Sequence, residues 1–298
     1  MSTINPEIRI ARAPQRQFDA GNLWIYAALL VGSIAFLVPF YFVVNGSLKT
    51  DAEVQAGDFV SLTNAPRWEN YWNALEKLGL QTAGRTVPSF PALSNTILIT
   101  TLTIAGQIVS CSLVGFGFAR FKFRGRNTLF ILMLSTMMLP AQVTMIPVFV
   151  LFKTFGLVDT VWPLVLPAFF ASPFFVFMFR QFFSQIPEEL IEAARLDGCS
   201  NWRIYWQFML PLSTPVIAIV AIYTFLGAWN DFLGPLIYLN SPENRTLALA
   251  LNSFKGQYGT SDAHLLMAAS VVCMMPCVIL FFAMQKYFVE SVAQSGMK

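Results

Sequence analysis

Residues 185–215 read QIPEELIEAARLDGCSNWRIYWQFMLPLSTP, the one polar interruption in an otherwise apolar second half of the chain. Pro187 followed by Glu188 and Glu189 predicts a helix start, because proline fits a first helical turn and carboxylates there oppose the positive end of the dipole. Gly198 predicts the stop. Between them Ile186, Leu190 and Ala194, with Ala193 and Leu196, recur at three- and four-residue spacing, so about three turns would carry one narrow apolar stripe on a charged helix. Such a helix lies across a surface. Ser200 is placed to cap a second helix from Asn201, in which Trp202, Tyr205 and Trp206 suit a membrane interface. Pro211 and Pro215 mark the next span.

On both sides of this stretch the composition is that of a membrane protein: 56% of the 298 residues are hydrophobic, 12% are charged, and mean hydropathy is +0.59. Soluble domains carry about a quarter charged residues. The net charge of +3 is small, so nucleic acid is not an expected partner. Cys111, Cys199, Cys273 and Cys277 form no disulfide framework, have no carboxylate or histidine at ligand spacing, and read as small buried hydrophobes, with no metal site expected. The N-terminal segment to Gly21 precedes an apolar run too long for a signal-peptide core and is expected to be retained.

Six stretches hold no Asp, Glu, Lys or Arg and are long enough to cross a bilayer core: 22–48, 86–119, 127–152, 160–179, 204–230 and 263–285. A crossing needs about twenty apolar residues. The runs are continuous rather than alternating, which predicts helices, since a backbone in lipid must satisfy its own hydrogen bonds. Pro140, Pro147, Pro163, Pro167 and Pro173 cluster in the third and fourth spans, where each removes a backbone bond and can kink the helix. Six spans put both termini on one side. That side carries Arg9, Arg12, Arg16, Arg120, Lys122, Arg124, Arg126, Arg180, Arg195, Arg203, Lys286 and Lys298; the other carries Lys49, Arg67, Lys77, Arg85, Lys153, Arg245 and Lys255, mostly matched by nearby acids. By the positive-inside rule the first side, with Glu192, is cytoplasmic.

The absences narrow the function. Ion-coupled carriers place titratable groups inside their spans. Here the sole histidine, His264, stands at the external start of the last span, and no phosphate-binding loop occurs, so an ATPase would have to be another chain. Gly115-Phe116-Gly117 reads as close helix packing. No cluster of convergent titratable groups marks a catalytic site.

The pattern Glu192-Ala193-Ala194, with Asp197-Gly198 following and Leu210-Pro211 further on, resembles the EAA loop of ABC-importer membrane subunits. The resemblance implies a coupling helix seated in a cleft of a cytoplasmic ATPase, with Glu192, Ala193, Ala194, Asp197 and Gly198 as its residues; the plainer alternative is an amphipathic helix lying at the membrane surface. From Asn22 onward the chain is similar to carbohydrate ABC permeases, specifically the shorter six-span partner of the maltose-type pair. The stretches that carry this are NGSLKT at 45–50, Ser94-Asn95-Thr96, GFGFARFKFRGR at 115–126, MLPAQVTMIP at 138–147, FLGAWNDFL at 225–233 and FKGQYG at 254–259. The implied fold is an all-α integral membrane domain of the type I ABC importer kind. It has a cytoplasmic segment 1–21, a permease domain 22–288 with spans near 22–45, 94–118, 128–152, 161–183, 209–230 and 263–286, and a cytoplasmic tail 289–298.

The implied partners are a second, non-identical permease subunit, two cytoplasmic ABC ATPase subunits that use ATP and Mg, an external or periplasmic sugar-binding protein, and membrane lipid. The implied location is the cytoplasmic (inner) membrane of a bacterium or archaeon. The chain itself is expected to bind no cofactor and catalyse nothing. Trp229, Asn230 and Asp231 are the candidate residues along the sugar path, against the alternative of an interface belt and a helix end. Gly256, Gln257, Tyr258 and Gly259 are the candidate contacts to the binding protein. A gated facilitator without an ATPase, or an ABC importer of another small solute such as glycerol phosphate, are the competing readings.

Overall fold

The computed structural model describes residues 23–295 apart from 59, 64, 80–90 and 255–261. Helix α1 is Leu23–Ser47, and the short α2 (Asp51–Gln55) and α3 (Glu69–Gly79) follow on one side of the bundle. Helix α4, Pro91–Arg120, is the central span; α5 (Arg126–Ser135) and α6 (Ala141–Thr154) come next, then α7 (Trp162–Val165) and α8 (Pro173–Gln185). The polar stretch supplies α9 (Glu188–Leu196), α10 (Asn201–Ile204), a wide π-type turn at Tyr205–Met209 and α11 (Leu210–Leu212). Helix α12 is Thr214–Trp229, followed by α13 (Leu233–Tyr238), α14 (Leu247–Leu251) and the long α15 (Ala263–Ser295). No strand occurs among the described residues.

Four of these segments can each cross a membrane: Leu23–Ser47, Pro91–Arg120, Trp162–Gln185 and Ala263–Gln285. The predicted third and fifth spans are both broken. In the third, Arg126–Met138 and Ala141–Thr154 meet at 97°. Pro140 offers no N–H and pushes Leu139 into extended backbone (φ −78°, ψ 118°), which ends one helix and starts another. In the fifth, Asn201–Leu212 meets Thr214–Trp229 at 75°, with the bend at Ser213 between Pro211 and Pro215. The Ser213 hydroxyl donates to the Met209 carbonyl at 2.5 Å there. Counting each bent pair as one span gives six.

Helix α4 organises the packing, touching α8, α12 and the turn Leu166–Phe170. Small residues allow this approach, as expected where lipid removes any hydrophobic gain from helix association. A Cβ on Gly115 would lie 2.6 Å from Phe179 Cβ and 3.2 Å from Arg180 N, so α4 and α8 meet nearly backbone to backbone. Gly117, the second glycine of the pair, has open space around it. Helix α1 packs on α15, and none of its most apolar window is buried; Phe36 is 80% exposed.

On the side opposite the basic residues, the Lys77–Asp262 ion pair fastens α3 to the start of α15, and His264 Nδ1 lies 3.3 Å from Asp51 on α2. The buried Lys49 turns its ammonium to the Asp58 carbonyl, and Asn70 donates to the carbonyls of Ser47 and Lys49, both at 2.9 Å. These bonds account for much of the NGSLKT stretch, whose polar groups close the loop after α1.

Candidate functional site

Helix α9 begins after Pro187 and closes in a Schellman arrangement. Gly198 at φ +79° lets its own N–H reach the Arg195 carbonyl (3.0 Å) and the Cys199 N–H reach the Ala194 carbonyl (2.9 Å). The predicted apolar stripe is placed differently by the packing. Ile186, Ile191 and Ala194 are buried, whereas Leu190 and Leu196 are exposed, Leu196 at 89%. The inner face continues into a buried cluster with Phe179, Phe183, Ile204, Tyr205 and Met209, so α9 is seated on the ends of the spans. The outer face presents Glu192, Ala193, Leu196 and Asp197, and Gly198 is exposed beyond it.

Two polar contacts join α9 and its neighbourhood to α4. Arg120, with its side chain 6% exposed, donates to the carbonyls of Phe183 and Ile186, both at 2.6 Å, and meets Glu188 at 3.2 Å. It thereby caps the C-terminal end of α8 and holds the first residue of α9. Tyr205 is fully buried rather than interfacial, because the π-type turn rotates it inward, where its hydroxyl meets that of Ser112 at 2.7 Å. Trp202 and Trp206 are exposed, as the interface reading expects. Sequence reasoning missed the roles of Arg120 and Ser112; both stand in a stretch dominated by glycine and phenylalanine, and their partners lie more than 60 residues away.

Trp229, Asn230 and Asp231 do not share one cavity. Trp229 is 6% exposed, stacks on Phe225 (5.2 Å, 15°) and donates its indole N–H to the Cys273 carbonyl at 3.0 Å. With Asn230 it lines an apolar groove of about 850 Å³ between α1, α12 and α15. Asp231 borders two other cavities: one of about 310 Å³ between α4 and α12 that is also lined by Thr103, Gln107, Tyr223 and Thr224, and one of about 260 Å³ between α6 and α13. Gly234 permits this: a Cβ there would lie 2.4 Å from Asp231 Oδ2 and 2.9 Å from Leu164.

Connections on the side opposite α9 are tied to the spans. Asn95 donates to the carbonyls of Glu243 (2.7 Å) and Arg245 (3.2 Å), and Thr96 accepts from the Leu247 N–H at 2.8 Å, which gives the Ser94-Asn95-Thr96 stretch its structural task. Asp159, in left-handed backbone at φ +65°, accepts from the Ser241 hydroxyl, the N–H groups of Ser241 and Asn240 (both 2.9 Å) and the Asn244 amide (3.2 Å). Those donors, the Ser241 hydroxyl foremost, hold the carboxyl well below the usual carboxylate range. A lowered folded-state pKa contributes stability above the unfolded pKa that is lost as pH falls through the folded one. The clasp is thus expected to persist through the ordinary carboxylate range of acidity and to open only below it. Asp159→Ala should speed hydrogen exchange at the Asn240 and Ser241 amides by roughly tenfold or more, since bonds to a charged acceptor are the stronger ones; unchanged exchange would refute the clasp. Gly256, Gln257, Tyr258 and Gly259 lie outside the described residues.

An all-helical bundle with up to six spans and an exposed, surface-seated helix between the fourth and fifth is the architecture of an ABC-importer permease. Residues 111–294 match the family model described as binding-protein-dependent transport system inner membrane component, and the chain belongs to that family. It is 32% identical over 286 residues to an arabinooligosaccharides transport system permease of Bacillus subtilis strain 168, covering 95% of this chain and 98% of that one. It is 31% identical to a diacetylchitobiose uptake system permease of Streptomyces coelicolor (96% and 91% covered) and 28% identical to an sn-glycerol-3-phosphate transport permease of Yersinia pestis (92% and 96%). Its fold matches a chain from the crystal structure of a bacterial ABC transporter that imports the acidic polysaccharide alginate, with a TM-score of 0.77 over 93% of this chain and all of that one, at 22% identity.

Proposed function

We propose that this chain is one half of the translocation path of an ATP-driven, binding-protein-dependent importer of sugars or oligosaccharides, and that α9 couples it to a separate ATPase. The observation that carries the reading is the two-faced seating of α9: Ile191 and Ala194 are sunk among the span ends while Glu192, Ala193 and Leu196 stand free. In this reading the exposed Leu196 is the apolar contact that α9 offers to a partner cleft. In this reading Glu192, Ala193, Ala194, Asp197 and Gly198 form the coupling segment, the basic side is cytoplasmic, and both termini lie there. The path is completed by a second, non-identical permease, two ATPase subunits working with ATP and Mg, and an external sugar-binding protein that docks near Gly256, Gln257, Tyr258 and Gly259. The membrane is the bacterial or archaeal inner one. Trp229 and Asn230 flank the path, and Asp231 faces it.

Affinity purification of the tagged chain from its own membrane tests the assembly. Native mass spectrometry should find two ATPase copies and one different permease, and a cysteine placed at Gln257 or Tyr258 should crosslink to the loaded binding protein. A complex holding two copies of this chain and no second permease would sink the heteromeric reading.

A further inference from the structure

Polar groups at mid-depth in a membrane domain are costly and are normally paired. Most hydroxyls on these spans satisfy that rule by bonding a nearby carbonyl: Thr96 to Ala92, Ser112 to Ile108 and Ser270 to Leu266. Four threonine hydroxyls among the described residues do not: Thr100 on α4, outside the lining, and three that line the cavity beside Asp231, two on the spans and Thr246 at the start of α14. The hydroxyls of Thr103, Thr224 and Thr246 are buried and find no hydrogen-bond partner among the described residues; Thr224 is 7% exposed and Thr246 4%. Thr103 and Gln107 stand near the middle of α4, twelve residues from Pro91 and thirteen from Arg120 respectively, which at about 1.5 Å per residue places them near the centre of a bilayer.

The remaining walls fit the same purpose. Tyr223 is 54% exposed and offers a ring face, and Gly227 adds open space beside it, since a Cβ there would meet nothing within 4 Å. Gln107 accepts the Cys111 thiol at 3.1 Å, which leaves its amide nitrogen to donate. Asp231 spends one oxygen on the Gly234 N–H at 3.1 Å and has no ion pair among the described residues. No lysine, arginine or histidine lines the cavity, whose volume of about 310 Å³ is at the small end of ligand sites, roughly 300–1,000 Å³.

We propose that this cavity is a subsite of the chain's own that holds one ring of an uncharged sugar in transit. Tyr223 supplies the platform, Asp231 accepts from vicinal hydroxyls, and the threonine hydroxyls and Gln107 complete the donors and acceptors. A carboxylate with no balancing cation repels phosphate and uronate cargo, so the subsite selects neutral saccharides. The inference rests on the proposed role as half of a sugar path, and it goes further by naming the chain's own contacts and the charge of the cargo.

The full complex, with partner permease, ATPases and binding protein, is reconstituted in vesicles and offered arabinotriose, diacetylchitobiose, maltotriose and glycerol 3-phosphate. Expected is ATP-dependent accumulation of at least one neutral sugar and none of glycerol 3-phosphate. Asp231→Asn should slow that accumulation by about tenfold, the loss that one unmade bond to a charged acceptor brings; Tyr223→Ala, which removes the ring platform, and Gly227→Leu, which fills the space beside it, should slow it as well, while the loaded binding protein still stimulates ATP hydrolysis at the parental rate. Accumulation at parental rates in all three variants overturns the subsite, and accumulation of glycerol 3-phosphate overturns its selectivity. If the parent accumulates no member of the panel, the proposed function itself falls. Should the variants fail to assemble, protection of Thr103→Cys from a water-soluble thiol reagent by the transported sugar decides the matter: protection supports the subsite and full labelling refutes it.

Discussion

Glu192→Lys and Leu196→Asp are expected to leave the spans assembled and to abolish ATP-driven uptake, because both residues are exposed on the outer face of α9. Neither change opens a cavity, since the buried anchors Ile191 and Ala194 are untouched. The cost falls on docking alone. Truncating or reversing a docking hot spot costs about 2 kcal/mol or more, which is about thirtyfold in affinity for the partner. Gly198 separates two explanations of the same segment. A Cβ there would meet nothing within 4 Å, so the glycine is needed either for its φ of +79° or for close approach of the partner. Gly198→Asn tolerates that backbone and Gly198→Val does not. Uptake retained by Asn and lost by Val points to the Schellman turn; loss in both points to docking. Normal uptake together with normal ATPase assembly in Glu192→Lys and Leu196→Asp would remove the coupling role from α9.

The second large effect concerns energy. Accumulation in sealed vesicles is expected to require ATP on the basic side and to survive collapse of proton and sodium gradients at constant ATP. The physical ground is the placement of charge. Arg180 is occupied over the Phe130 ring, with its guanidinium 3.8 Å from the centroid, and sits close to the basic end. His264 lies at the opposite end of the span, 3.3 Å from Asp51, outside the span interior. A gradient-driven carrier needs a relay or ion ligand at membrane depth, and among the described residues Asp231 is the carboxylate that lines the cavity between α4 and α12. His264→Ala should therefore leave ATP-driven accumulation intact, and Asp231→Asn should slow transport without making it sensitive to ionophores. Uptake that concentrates sugar without ATP, or that stops when the gradients collapse, would overturn the reading.

If α9 moves with an ATPase, the buried contacts define what moves with it. Arg120 grips the end of α8 and the start of α9, Tyr205 is bonded to Ser112 on α4, and the apolar cluster is continuous from Ile191 to Val220. Packed cores shift as units rather than deforming smoothly. The bend at Pro140 lies outside this cluster, whereas the bend at Ser213, fully buried between Met209 and Val216, lies within it.

Much of this protein is legible in local pattern. Apolar runs of bilayer length, the basic bias of alternate loops, Pro187 before two glutamates and the αL glycine at 198 depend on neighbours within a few residues, so composition and spacing disclose the helical membrane class, the candidate spans and the ends of α9. What local pattern leaves open is which face of each helix turns inward. In a membrane both faces are apolar, so periodicity carries little information, and for α9 only the tertiary cluster with Phe179, Phe183 and Tyr205 decides that Ile191 is buried and Leu196 is not. The same holds for Trp229 and Asp231: two residues apart in sequence, they face different cavities because Trp229 bonds α15 and Asp231 turns at the helix end against Gly234. Broken spans are likewise a tertiary result, since a proline permits a kink while the packing of both arms sets its angle.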